Sequence, residues 1–216
     1  MKTIQVWSLC ILLFLTVGCA TKPGFDYSNF KKSDPKSILV LPPKNSSPDI
    51  KASYSFYSNT QRPLAESGFY VLPVTVVDEI FKANGLSVVD DMHQVNPQKL
   101  REIFGADAVL YIQIKDYGTK YFVIGSAAIV TAEAQLVDLR TGELLWQGKA
   151  TASNEESNDN QQGGLAGLLV TALIKQVVGS TFDQSHEISK ITNARLLSAG
   201  MPNGLMYGPR SPMYKK

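Results

Sequence analysis

Cysteine is nearly missing from this chain: Cys10 and Cys19 are the only two among 216 residues, and both lie near the amino terminus. Neither a disulfide framework nor a cysteine zinc site can be built from them, so the fold must stand on its core. Histidine is as scarce, with His93 and His186 far apart and outside the His-Glu-x-x-His spacing of zinc hydrolases. No serine occupies a nucleophile-elbow pattern, and Gly163-Gly164-Leu165-Ala166-Gly167 lacks the Lys-Ser or Lys-Thr that completes a phosphate-binding loop. Excess charge is missing too: the formal net charge is +2, without a clustered basic face, which argues against a nucleic-acid partner. The apolar runs Val6–Val17 and Leu165–Val178 both fall short of the ~20 residues that span a bilayer.

What is present begins with the grammar of an export signal. Lys2 gives a positive start, Val6–Val17 a short apolar segment, and small Gly18 directly precedes Cys19. This stretch resembles the bacterial lipobox, although Thr16 stands where that pattern prefers Leu, with Leu15 beside it. The resemblance implies cleavage before Cys19, a diacylglyceryl group on its thiol and an acylated amine. Three acyl chains would hold the protein at a membrane permanently, since one alone binds marginally. Ala20 stands where Asp would retain an enteric lipoprotein at the inner membrane, so the expected location is the outer membrane. The body faces the periplasm or the cell exterior on this reading, and the residues fit both.

A mature chain of this length fits one domain. Residues 1–18 are the expected signal peptide, 19–36 a lipidated polar tether with Pro23, Gly24 and Pro35, 37–198 the domain, and 199–216 an irregular tail rich in Pro and Gly. The unbroken run Ile38-Leu39-Val40-Leu41 suits a central strand buried on both faces. A helix is expected between Ile50 and Ser67, restarted or kinked by Pro63, then a strand over Phe69–Val74. Thr75 with Asp78 suggests a capped helix closed by Asn84-Gly85, and Asn96-Pro97 starts another that Gly105 stops. Three long strands follow in meander order. Their alternation is Leu110, Ile112, Ile114, then Val130, Ala132, Ala134, Leu136, then Trp146, Gly148, Ala150. Turns are expected at Gly118-Thr119-Lys120 and at Arg140–Glu143.

Composition then changes abruptly, from the polar loop Asn154–Gln162 to the apolar segment Leu165–Val178. A helix apolar nearly all round needs burial on most sides. Leu165, Leu168, Leu169, Val170, Leu173 and Ile174 therefore fit either a self-association or partner interface or a central core helix. Ser180 and Asp183 can cap a last helix carrying Ile188, Ile191, Ala194 and Leu197.

Several stretches carry a resemblance: Ile38–Pro42 with Asn45 and Ser46, Gly68-Phe69-Tyr70-Val71, Gly105–Leu110, and Leu136-Val137-Asp138 with Thr141-Gly142-Glu143. Together they resemble the periplasmic domain shared by curli-secretion lipoproteins, lipoprotein activators of penicillin-binding proteins and the amino-terminal domain of the Tol translocation protein. Through Tyr207-Gly208-Pro209-Arg210-Ser211-Pro212, the whole chain is similar to a bacterial lipoprotein family that includes a meningococcal antigen. The resemblance implies a single-domain α/β sandwich, one mixed sheet with a carboxyl-side antiparallel meander and helices packed on it. It also implies a non-enzymatic accessory or assembly component of an envelope transport or secretion system; from the residues themselves a homo-oligomer without cofactor or metal is expected. Tight loops at Gly118 and Arg140 argue against pore formation. A ligand-binding module for cell-wall or lipid fragments is the alternative.

The remaining candidates for chemistry are sparse. Asp90, Asp91 and His93 offer a loose hard-metal corner, for which a solvated loop is the plainer reading. Glu155, Glu156 and Asp159 lack calcium-loop spacing. Tyr54, Phe56 and Tyr57 suit a core, with a partner-binding role kept alive by their clustering.

Overall fold

A computed structural model describes residues 24–121, 126–155 and 184–215. Among them one mixed sheet of six strands forms, in the order β3-β1-β4-β5-β6, with β2 beside β4. The strands are β1 (Ser37–Val40), β2 (Lys44–Asn45), β3 (Tyr70–Val71), β4 (Ala108–Tyr121), β5 (Ser126–Asp138) and β6 (Leu144–Ser153). β1 lies parallel to β3 and β4, and β4, β5 and β6 form the expected antiparallel meander. Pro42 and Pro43 have no N–H to donate, so pairing along β4 stops after β1 and resumes at β2.

The described helices are α1 (Ser28–Ser33), α2 (Ala52–Ser58), α3 (Gln61–Glu66), α4 (Val74–Ala83), α5 (Val89–Gln94), α6 (Pro97–Phe104) and α7 (Gln184–Leu197). They cover both faces at β1. Ile38 and Val40 join a large core with Phe56, Leu110, Ile112, Leu136, Trp146, Ile188, Ile191 and Leu197. Leu39 and Leu41 point the other way, to Val77, Phe81, Met92, Leu100 and Val109. The continuous apolar run is thus a two-sided central strand. Tyr57 fastens α2 to it, its buried hydroxyl donating to the Val40 carbonyl at 2.8 Å.

Local chemistry sets the boundaries. Asn96 accepts a hydrogen bond from the Gln98 amide and Pro97 opens α6, while Gly105 ends it at φ +66°. Asp138 builds the β5–β6 turn, accepting from the Arg140 and Thr141 amides at 2.6 and 3.0 Å, with Gly142 at φ +76°. Gly148 leaves room for an indole laid along its strand: a Cβ there would meet Trp146 at 2.4 Å.

Several expectations need correction. The chain is not a free tether up to Lys36. Phe30 is buried in the core, Phe25 and Tyr27 pack against it, and α1 is bonded to the β5–β6 turn through Ser33. Its aromatic residues supply the burial that a solvated linker lacks. The segment from Ala199 onward, though mostly irregular, is packed as well, with Leu205 buried and Gly208 bonded to Ser67. The helix expected over Ile50–Ser67 is two, broken at Asn59-Thr60, with Pro63 inside the first turn of α3, where its missing N–H costs nothing. Thr75 is not a cap: α4 starts at Val74 after Pro73, and Asp78 turns to Lys82 instead. Gly118-Thr119-Lys120 is not a turn. These residues pair with Ile129, Ala128 and Ala127 inside a hairpin that continues to Tyr121 and Ser126. Gly118 at φ +116° relieves the strand beyond a register shift at Ile114/Asp116 rather than reversing it, so tightness at Gly118 gives no argument about pores.

Candidate binding groove

Two helices and one strand frame a concavity among the described residues. α2 approaches the first turn of α7, and β4 passes beneath both. The groove encloses about 620 Å³ and is lined by Ile50, Lys51, Tyr54, Ser55, His186, Glu187 and Lys190. Its walls are apolar and unusually open to solvent, with Ile50 89% and Tyr54 59% exposed. Phe56 and Tyr57, next in the same aromatic cluster, point the other way into the core, as a helix turning by about 100° per residue requires.

A chain of hydrogen bonds forms the floor. Ser55 Oγ lies 2.6 Å from the Tyr117 hydroxyl and 2.7 Å from His186 Nδ1. With a bare Nδ1, Ser55 donates to His186 and Tyr117 donates to Ser55; with Nδ1 protonated, the chain reverses without losing a bond. Either tautomer of the ring keeps both bonds. Glu187 beside it is committed to Lys190 at 2.5 Å. Among the described residues no carboxylate bonds the His186 ring. Lys51 carries an exposed cation with no ion pair among the described residues. The groove can therefore hold an apolar group on Ile50 and Tyr54 while hydroxyl, imidazole and ammonium groups fix a polar end.

Behind the floor the α2–α7 contact stays polar. Asn59 donates to Ser189 Oγ at 3.1 Å, and Asn193 donates to the Phe56 carbonyl at 3.3 Å. The Asn193 side-chain oxygen is buried without a partner among the described residues. One ordered water would satisfy it.

The loose metal corner is dispersed. Asp90 pairs with Lys44 at 2.7 Å, Asp91 is exposed, and His93 Nε2 lies 2.8 Å from the Pro42 carbonyl. That oxygen only accepts, so Nε2 carries the proton. Burial pulls the His93 pKa below the usual imidazole value, more than the Pro42 bond raises it. These residues sit on α5, not in a loop, and among the described residues no three His, Cys, Asp or Glu side chains gather. A smaller concavity of about 400 Å³ lies here, lined by Lys44, His93, Tyr111, Gln113, Glu133 and Gln135 among others.

Cys19 and the segment with Leu165, Leu168, Leu169, Val170, Leu173 and Ile174 lie outside the described residues. The groove was not visible in the sequence, since Ser55 meets Tyr117 and His186 across separations of 62 and 131 residues that no spacing rule joins. The one usable signal was Tyr54, out of phase with its buried neighbours.

The family model described as GNA1162-like lipoprotein matches residues 25–210. The lipoprotein NMB1124/NMB1162 of Neisseria meningitidis serogroup B is 43% identical over 210 residues, 97% of each chain. The crystal structure of lipoprotein GNA1162 from Neisseria meningitidis shares 46% identity and superposes with a TM-score of 0.54, over 68% of this chain and 100% of that one. The carboxyl-terminal domain of LpoB from Salmonella enterica is 21% identical, with a TM-score of 0.39 over 54% of this chain and 81% of that one.

Proposed function

The chain belongs to the GNA1162-like lipoprotein family, and on that premise we propose that it is an outer-membrane lipoprotein, anchored through Cys19, that serves an envelope transport or secretion system as an accessory or assembly component. It binds protein rather than transforming a substrate. The observation that carries this reading is the relation to a meningococcal lipoprotein over 97% of both chains, which includes the Cys19 region as well as the fold. The open groove supports it: Ile50 and Tyr54 expose apolar surface beside convergent polar groups, as protein-binding sites do. Leu165, Leu168, Leu169, Val170, Leu173 and Ile174 supply a second surface, for self-association or for a partner.

In-cell crosslinking of the lipidated chain, followed by affinity purification and mass spectrometry, tests the proposal. A defined set of envelope transport or secretion proteins, lost when Leu165–Val178 is deleted or Ile50 and Tyr54 become Glu, is the expected result. Recovery of this chain alone would overturn it. The polar end of the groove favours a second reading, a ligand site for cell-wall or lipid fragments. Calorimetry with muropeptides and with fatty acids checks it, and heat lost on Lys51→Ala is expected if it holds.

A further inference from the structure

The two ends of the described chain are fastened to each other. The Phe25 amide donates to the Asn203 side chain at 3.1 Å, and the Tyr27 hydroxyl donates to the Gly204 carbonyl. Trp146 Nε1 donates to the Asn203 carbonyl at 3.1 Å, which ties this junction to the sheet. At the other end of α1, Asp34 accepts from the Tyr214 hydroxyl and pairs with Lys215 at 3.2 Å. Residues 199–215 thus run along α1 and clasp it.

The clasp has a distinct charge. Lys31, Lys32, Lys36, Arg210 and Lys215 are all exposed on these two segments. The segments' own carboxylates are Asp26, which accepts from Ser28, and Asp34, which Lys215 answers. Of the nearby carboxylates of the body, Asp138 pairs with Arg140, Asp107 accepts from Ser37 and the Lys36 amide, and exposed Glu143 accepts from the Thr141 hydroxyl. Arg210 stacks over Tyr70 at 5.3 Å, and the Tyr70 amide donates to the Lys36 carbonyl, which joins these two cations to the rest. Lys31, Lys32 and Lys36 have no ion pair among the described residues. On the carboxyl-terminal segment Met201 is half-buried and Met213 is 47% exposed.

Position along the chain decides what this face meets. Phe25 is the first packed aromatic after Cys19, and the intervening residues reach roughly 20 Å at full extension. A body tied to lipid at Cys19 must therefore keep the clasp at the bilayer surface. β4 and β5 lead away from this end, placing Tyr121, 84% exposed, about 40 Å along the strand from Ala108. Ser55, Tyr117 and His186 belong to the same far end.

We infer that the clasp, with Lys31, Lys32, Lys36, Arg210 and Lys215, is a membrane-contact face that binds anionic lipid headgroups and turns the groove away from the bilayer. This inference rests on the Cys19 anchor proposed above. One acyl chain holds weakly, and a basic patch is a recognised second attachment, screened by salt. Here its role is orientation, because the acyl chains of Cys19 fix a point and not an angle.

The test reconstitutes the lipidated chain in vesicles of phosphatidylcholine, with or without about 30% phosphatidylglycerol. A thiol dye is placed through Met213→Cys or Tyr121→Cys and quenched by brominated lipid. Flotation with the vesicles reports the anchor separately. In anionic vesicles, quenching at position 213 should exceed that at 121 by about twofold or more beyond the tether-imposed difference seen in phosphatidylcholine alone, and Lys31→Glu/Lys32→Glu/Lys36→Glu or high salt should remove that excess. Equal quenching at both positions in floated protein would overturn the inference and leave the anchor standing. A difference as large in phosphatidylcholine alone as in anionic vesicles would also overturn it. Failure to float would overturn the anchor, and the membrane-contact face with it.

Discussion

Gly68 and Gly208 touch backbone to backbone. A Cβ on Gly208 would lie 2.6 Å from the Gly68 carbonyl oxygen, and one on Gly68 would lie 2.7 Å from the Gly208 oxygen. The Gly208 amide donates to Ser67 and the Arg210 amide to Gly68, so the carboxyl-terminal segment is stitched to the turn between α3 and β3. The stretch Tyr207–Pro212 that carried the family resemblance is, in the structure, the part of the carboxyl-terminal segment that holds this turn.

Gly208→Ala forces two backbones apart where no flexible side chain can yield. A loss of about 1–3 kcal/mol in chemical denaturation is expected, the usual cost of overpacking. Gly68→Ala adds the strain of φ +99° to the same clash and should cost more. Wild-type stability in both variants would show that the contact does not hold the tail.

Asp138 links α1 to the β5–β6 turn. Burial pushes its pKa up, but bonds from Arg140, Ser33 and the Thr141 and Arg140 amides outweigh that and hold it at about 2, against an ordinary 3.8. The unfolded chain binds this proton more readily, so the stability it contributes, about 2 kcal/mol, is complete above pH 3.8 and lost as pH falls through about 2. Asp138→Asn should be destabilised by about that amount at pH 7 and show a flatter acid limb. Parallel curves for the two proteins below pH 4 would contradict the assignment.

His93 works at milder pH. It is held neutral against the Pro42 carbonyl and the Tyr111 ring, with Lys44 opposing its protonation and Asp90 favouring it. Its folded pKa is lowered, so stability is present above the unfolded value of 6.5 and falls as pH drops below it. His93→Gln keeps an N–H for Pro42 and removes the titration. Thermal unfolding between pH 7 and pH 5 should therefore change less in the variant than in the wild type.

Ile50 and Tyr54 are exposed, so Ile50→Glu and Tyr54→Glu should leave the melting temperature within a degree or two, surface changes being within about 0.5 kcal/mol. A large fall in melting temperature would mean that these side chains are covered in the folded chain and not free for a partner.

The parts of this fold that follow local rules were legible. Asn96-Pro97, Gly105, Gly142 and the alternation along β4 to β6 act through adjacent residues, and the structure places them as read. Tertiary packing hid the rest. Phe25, Tyr27 and Phe30 make a fixed element of a stretch whose Pro, Gly and Lys content suggests a linker. Gly118 has the composition of a turn, but cross-strand pairing to Ile129 keeps it inside β4. Ser55 and His186 meet only because α2 and α7 pack on the same face of the sheet.

Both the proposed function and the membrane-facing clasp depend on lipid at Cys19, which makes intact-mass and amino-terminal peptide analysis of the membrane-extracted chain the most direct measurement. A mature chain beginning at an acylated Cys19, with Cys19→Ser left unprocessed and unacylated, is the predicted result. A chain that is cleaved elsewhere, or that begins at Cys19 without lipid, would contradict it.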